Sequence, residues 1–149
     1  MKKLQTALLI ILISCTTIVN AQQGHNMARI HAAKIAYITD RLHLSYNQSG
    51  NFIPLYNEYD SEIRDTRQSF FGKYKNMNPG NADDATSRQM IDDNLDYQQA
   101  VIAIKRKYND RFLKVLSPQQ LAELPAAERE FKQILMQRLK QRRGGGFGR

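Results

Sequence analysis

In four runs between Met27 and Leu139 the apolar residues of this chain recur at helical spacing, and no stretch alternates long enough to build one face of a sheet. Met27, Ile30, Ile35, Ile38 and Leu42 mark a first helical run between His25 and Leu44, with Ala28, Ala32, Ala33 and Ala36 adding helix propensity without bulk. Phe52, Tyr56, Tyr59, Ile63, Thr66, Phe70 and Tyr74 mark a second run with an aromatic stripe. The third carries two adjacent apolar rows: Ile91, Leu95, Gln98 and Ile102 along one, and Tyr97, Val101, Ile104, Tyr108, Phe112 and Val115 along the next. A face that broad needs more than one neighbour, or a second copy of the chain. The fourth segment runs from Ser117 to Arg143, with Pro125 expected to kink or restart it, and Pro54 poses the same problem in the second. Asn76 to Asp84 gathers turn-forming residues around a Pro-Gly pair. The spacing predicts an all-α chain.

Its beginning reads as an export signal. Lys2 and Lys3 precede the apolar run Ala7 to Ser14, and Val19-Asn20-Ala21 offers a cleavage site. The apolar stretch is shorter than the ~20 residues a spanning helix needs. A second processing route is also legible, because Leu12-Ile13-Ser14-Cys15 fits a bacterial lipobox in which Cys15 would be lipidated. Either route leads to the periplasm, as a free protein or as a lipoprotein. The expected organisation is a signal peptide over 1–21, a helical domain over 22–143 and a disordered Gly/Arg tail over 144–149. Cys15 is the single cysteine, so neither an intramolecular disulfide nor a cysteine-based metal or redox site is available, and core packing must hold the domain.

Two helix starts share one pattern. Leu44-Ser45-Tyr46-Asn47-Gln48 and Leu116-Ser117-Pro118-Gln119-Gln120 both read Leu-Ser-x-x-Gln. This is capping-box chemistry: the serine hydroxyl accepts from the N–H three residues on, and the glutamine reaches back to the serine N–H. Pro118 suits the first helical position, and each leucine stands where a hydrophobic staple would pack.

The repeated pattern resembles the LTxxQ motif of the periplasmic Spy/CpxP family, with Ser in place of Thr at both sites. The resemblance runs from Met27 to Arg143. It extends to a subgroup often labelled sensor of ECF-type sigma factor, through Ala33-Lys34-Ile35-Ala36-Tyr37-Ile38-Thr39, Pro54-Leu55-Tyr56-Asn57-Glu58-Tyr59 and Ala127-Glu128-Arg129-Glu130-Phe131-Lys132. It implies an elongated four-helix hairpin, dimerising into a cradle. It also implies a role in the envelope stress response, either as an ATP-independent holding chaperone or as a modulator of an ECF-type sigma factor pathway. The partners expected are unfolded envelope proteins, or a membrane-bound signalling protein.

Enzyme chemistry finds no foothold. His25, His31 and His43 share no i,i+3 or i,i+4 spacing and none adjoins an acid that would orient it. No HxxxH occurs, so metal-responsive sensing has little support, and no cofactor or metal is expected. Asp83 and Asp84 suit the start of the third helix rather than a metal site. The aromatic stripe reads first as core, yet it has more rings than one narrow seam requires. Tyr56, Tyr59, Phe70, Phe71 and Tyr74, with Met77 and Met90, are therefore the candidate client-binding residues.

The formal charge is +8, and from Ala126 onward seven basic residues face only Glu128 and Glu130. Export argues against nucleic acid as the partner of the Arg/Gly tail, and contact with an anionic membrane is its functional option.

Overall fold

The computed structural model describes residues 26–144, so the segment read as an export signal (Cys15 included), His25 and residues 145–149 of the expected tail lie outside the described residues. Four α-helices and two short 3₁₀ turns make up the described chain, with no strand among the described residues. Helix α1 covers 26–41, α2 Tyr46–Phe71, α3 Asp84–Phe112 and α4 Pro118–Gly144. The 3₁₀ turns Gly72–Tyr74 and Pro79–Asn81 fill the connection that the Pro-Gly pair predicts.

Several boundaries differ from the sequence expectation. Helix α1 stops before Leu42, where His43 takes a left-handed backbone with φ of 49° and ends the helix. Helix α4 neither ends nor restarts at Pro125, and Pro54 likewise sits inside α2. Each proline removes one helical N–H, which frees the carbonyl of Gly50 or Leu121. Both prolines and Gly50 are exposed and Leu121 is half-buried, so the proline positions face solvent, where water can serve in place of a missing donor. Gly144 is the last residue of α4 rather than the first of the tail.

The chain divides into two compact units, Leu42–Ala126 and the pair Met1–Arg41 with Ala127–Arg149. The first unit is built on an antiparallel pair, α2 against α3. Phe52 of α2 meets Phe112 of α3 with ring centroids 5.7 Å apart, Tyr59 meets Tyr108 at 5.5 Å, and Phe71 meets Tyr97 at 4.9 Å. Residue numbers rise on one helix as they fall on the other. Phe52, Leu55, Tyr56, Tyr59, Ile104, Tyr108 and Phe112 are all buried. Rings set at offsets and edges of this kind gain about 0.5–1.5 kcal/mol per pair beyond the area they bury.

Ion pairs border this seam. Arg111 reaches Glu58 at 2.7 Å and Lys107 reaches Glu62 at 2.8 Å, while the Tyr108 hydroxyl donates to the same Glu62 at 2.9 Å. Both cations also lie over the Tyr108 ring. The Lys107 and Tyr108 bonds hold the Glu62 carboxyl below its ordinary pKa. Within α2, Arg64 pairs with Asp60 one turn earlier, as the spacing predicts.

In the other unit, Tyr37 and Arg41 of α1 converge on Glu130 of α4, at 3.0 and 3.1 Å, and the Tyr37 ring lies 5.8 Å from that of Phe131. Ile38 and Ala127 are fully buried there.

At the far end of α2 a polar clasp ties the first 3₁₀ turn to α3. Asp93, only 7% exposed, accepts from Tyr74 at 2.5 Å and Gln89 at 2.9 Å, and pairs with Lys73 at 2.6 Å. Lys73 first, then Tyr74 and Gln89, hold its carboxyl down to about 2. A depressed carboxylate adds stability that is present at neutral pH and disappears as pH falls from the ordinary aspartate range through about 2. Thermal melting of Asp93→Asn should therefore fall below that of the parent at pH 7. The difference should close as the pH is lowered to 2, and a gap independent of pH would contradict the clasp.

Candidate functional site

The two Leu-Ser-x-x-Gln segments form both predicted capping boxes and then join each other. At the start of α2, Gln48 N–H donates to Ser45 Oγ at 3.3 Å and Ser45 N–H to Gln48 Oε1 at 3.1 Å. At the start of α4, Gln120 N–H donates to Ser117 Oγ at 3.2 Å and Ser117 N–H to Gln120 Oε1 at 2.9 Å. Each box leaves its glutamine with a free NH₂ group and one unused lone pair.

Those remaining groups cross between the boxes. Gln48 Nε2 donates to Gln120 Oε1 at 2.9 Å, and Gln120 Nε2 donates back to Gln48 Oε1 at 3.5 Å. The second N–H of each amide closes a turn: Gln48 Nε2 on the Val115 carbonyl at 3.2 Å, and Gln120 Nε2 on the Leu42 carbonyl at 3.1 Å. Leu42 and Val115 lie in the turns that lead into α2 and α4, so one pair of side chains fastens two turns and two helix starts together. Both amides use their two donors and two acceptor sites in full.

The staples are not equivalent. Leu116 is buried and Leu44 half-buried, but the position where a staple partner belongs is Leu121 in the second copy and Ser49 in the first. Only the second copy has the residue to complete the contact. The cap expected at Asp83 is present, its side chain accepting from Thr86 N–H at 2.7 Å.

The candidate client-binding residues separate into two groups. Tyr56 and Tyr59 are 0% and 8% exposed and belong to the α2/α3 core, which corrects their reading as a contact surface. The long aromatic stripe buries its first half because α3 brings Tyr108 and Phe112 against it. Phe70, Phe71, Tyr74 and Met90 are half-buried, and Met77 is exposed. Phe71 walls an open hollow of about 330 Å³ whose other lining residues are Arg64, Arg67, Gln68, Gly72 and Lys75. An apolar wall beside three cations suits a chain segment that is apolar with acidic neighbours.

An uncovered apolar row lies on α3. Ile104, Tyr108 and Phe112 of one row are buried, whereas Ile91, Leu95 and Ile102 of the adjacent row are 62%, 54% and 51% exposed. The double row is legible in the sequence, and the uncovered half is the one without aromatic rings. The charge along the helix is biased: Asp84, Asp92 and Asp96 outweigh Arg88 toward its start, and Lys105, Arg106, Lys107 and Arg111 outweigh Asp110 toward its end.

Among the described residues no three His, Cys, Asp or Glu side chains gather as a metal site would. His31 lies within α1 and His43 at the turn that ends it.

Capping and cross-linking make different demands on the glutamines. Glu serves as well as Gln in an isolated box but has no N–H to donate. Gln120→Glu would set a carboxylate oxygen against the Leu42 carbonyl and Gln48 Oε1. Urea unfolding should show it destabilised by about 2 kcal/mol, more than the ~1 kcal/mol expected for Ser117→Ala. A neutral Gln120→Glu would mean that capping is the glutamine's whole contribution.

Comparison of the chain with protein-family models, with curated proteins and with solved structures finds no match.

Proposed function

We propose that this chain is an exported, non-enzymatic holding chaperone of the envelope, ATP-independent and of the Spy/CpxP type, working as a dimer. The observation that carries the reading is the uncovered row Ile91, Leu95 and Ile102 on a helix that has already completed a core on its other side. An apolar row of this extent, bordered by charge, is a surface for protein contact. Antiparallel pairing of α3 with α3 of a second copy sets the acidic start of one helix beside the basic end of the other, which favours self-association.

Clients are held at the far end of the α2/α3 hairpin, by Phe71 with its surrounding cations and by the exposed Met77, with the half-buried Phe70, Tyr74 and Met90 as further candidates. Contacts of this kind are apolar, adaptable and individually weak, which suits a protein that must grip many sequences and release them without nucleotide.

The protein from Gln22 onward should suppress aggregation of a chemically denatured client at stoichiometric amounts. Leu95→Asp with Ile102→Asp should sediment as a monomer and lose most of that suppression while keeping its helical content. Phe71→Ser should weaken suppression and leave the sedimentation of the parent unchanged. If the parent protects no client, the chaperone reading fails and the regulatory alternative, control of an ECF-type sigma factor through a membrane partner, takes its place.

A further inference from the structure

The positive charge of the described chain is concentrated in one of its two units. Across 26–41 and 127–144, nine Lys and Arg stand against Asp40, Glu128 and Glu130, for a net charge of +6. Across Leu42–Ala126, ten stand against eleven Asp and Glu, for a net charge of −1. Glu130 is already engaged by Tyr37 and Arg41, so little acid is left to offset the basic residues of α4.

Within the basic unit, α4 carries an uncovered apolar pair. Met136 and Leu139 are 49% and 43% exposed and share a face with Lys132 and Lys140, which are also exposed. The steps from 132 to 136 and from 136 to 139 and 140 keep all four side chains within one helical stripe. Phe131, by contrast, turns toward the Tyr37 ring. A face of this composition suits a bilayer surface: anionic headgroups would attract its cations, their aliphatic stems could snorkel, and the apolar pair could enter the acyl boundary.

Other occupants fit less well. A second copy docking its own unit here would bring +6 against +6, unlike the mixed charge along α3. Nucleic acid would engage the cations and give Met136 and Leu139 nothing to contact.

We infer that the α4 face formed by Lys132, Met136, Leu139 and Lys140 docks on an anionic phospholipid surface. This contact is independent of the holding activity, and it moves the membrane-binding element from the Gly/Arg tail to the helix. Both charge and apolar insertion contribute, as reversible surface binding requires.

Vesicle sedimentation tests it with the chain from Gln22, which retains every described residue. Vesicles of phosphatidylcholine with about one-third phosphatidylglycerol should bind the protein in low salt and release it in high salt, and phosphatidylcholine alone should not bind it. Met136→Ser with Leu139→Ser should weaken binding roughly tenfold, and Lys132→Gln with Lys140→Gln should weaken it and flatten the salt dependence. Deleting residues 145–149 should leave most of the binding intact. Full binding by the Met136/Leu139 variant, loss of binding on the tail deletion alone, or a preference for duplex DNA over the vesicles would each overturn the proposal.

Discussion

Two glutamine side chains, 72 positions apart in sequence, tie together the turns and helix starts of the Leu42–Ala126 unit. A capping box ordinarily stabilises its own helix and nothing else. Here the boxes of α2 and α4 spend their leftover hydrogen-bonding capacity on each other and on the carbonyls of Leu42 and Val115. A local motif thus becomes a tertiary one. The arrangement also gives a physical reason for Gln at both positions, since only an amide supplies two donors and an accepting oxygen from one planar group.

From that junction the rest of the Leu42–Ala126 unit follows. The two turns are fixed where α2 begins and where α3 ends, so the antiparallel pair starts in register with Phe52 beside Phe112. Succeeding turns stack Tyr59 on Tyr108 and Phe71 on Tyr97, and the Asp93 clasp closes the opposite end. Ion pairs bridge the edges, their partners largely solvated. They align the helices more than they stabilise them.

Much of this is legible in the sequence because it depends on local chemistry. Helical spacing gives four helices and no strand, and Ser45, Ser117 and Asp83 announce their helix starts through side chains that act within one turn. The two rows of α3 are visible before any neighbour is known. What stays hidden depends on partners distant in sequence. Nothing near Gln48 points to Gln120, and nothing near Asp93 points to Lys73 and Tyr74 across the intervening turn. Tyr56 and Tyr59 look like Phe71 in a sequence stripe, and only the position of α3 separates core rings from those at the hollow. Neither proline breaks its helix, for a related reason. A helix tolerates Pro54 and Pro125 where the freed carbonyl can be solvated, and that depends on exposure rather than on residue type.

The exposed features also differ in kind. Along α3, apolar side chains run between opposite charges, a pattern suited to a protein partner. On α4, an apolar pair sits among cations of one sign, a pattern suited to an anionic surface. Both depend on helices whose starts are anchored. The most direct measurement is a double-mutant cycle on Gln48→Ala and Gln120→Ala, read by urea unfolding. Coupled amides predict an interaction energy of at least about 1 kcal/mol, with the double variant losing less than the sum of the single ones. Strict additivity would show two independent helix caps and would contradict the junction from which the architecture is derived.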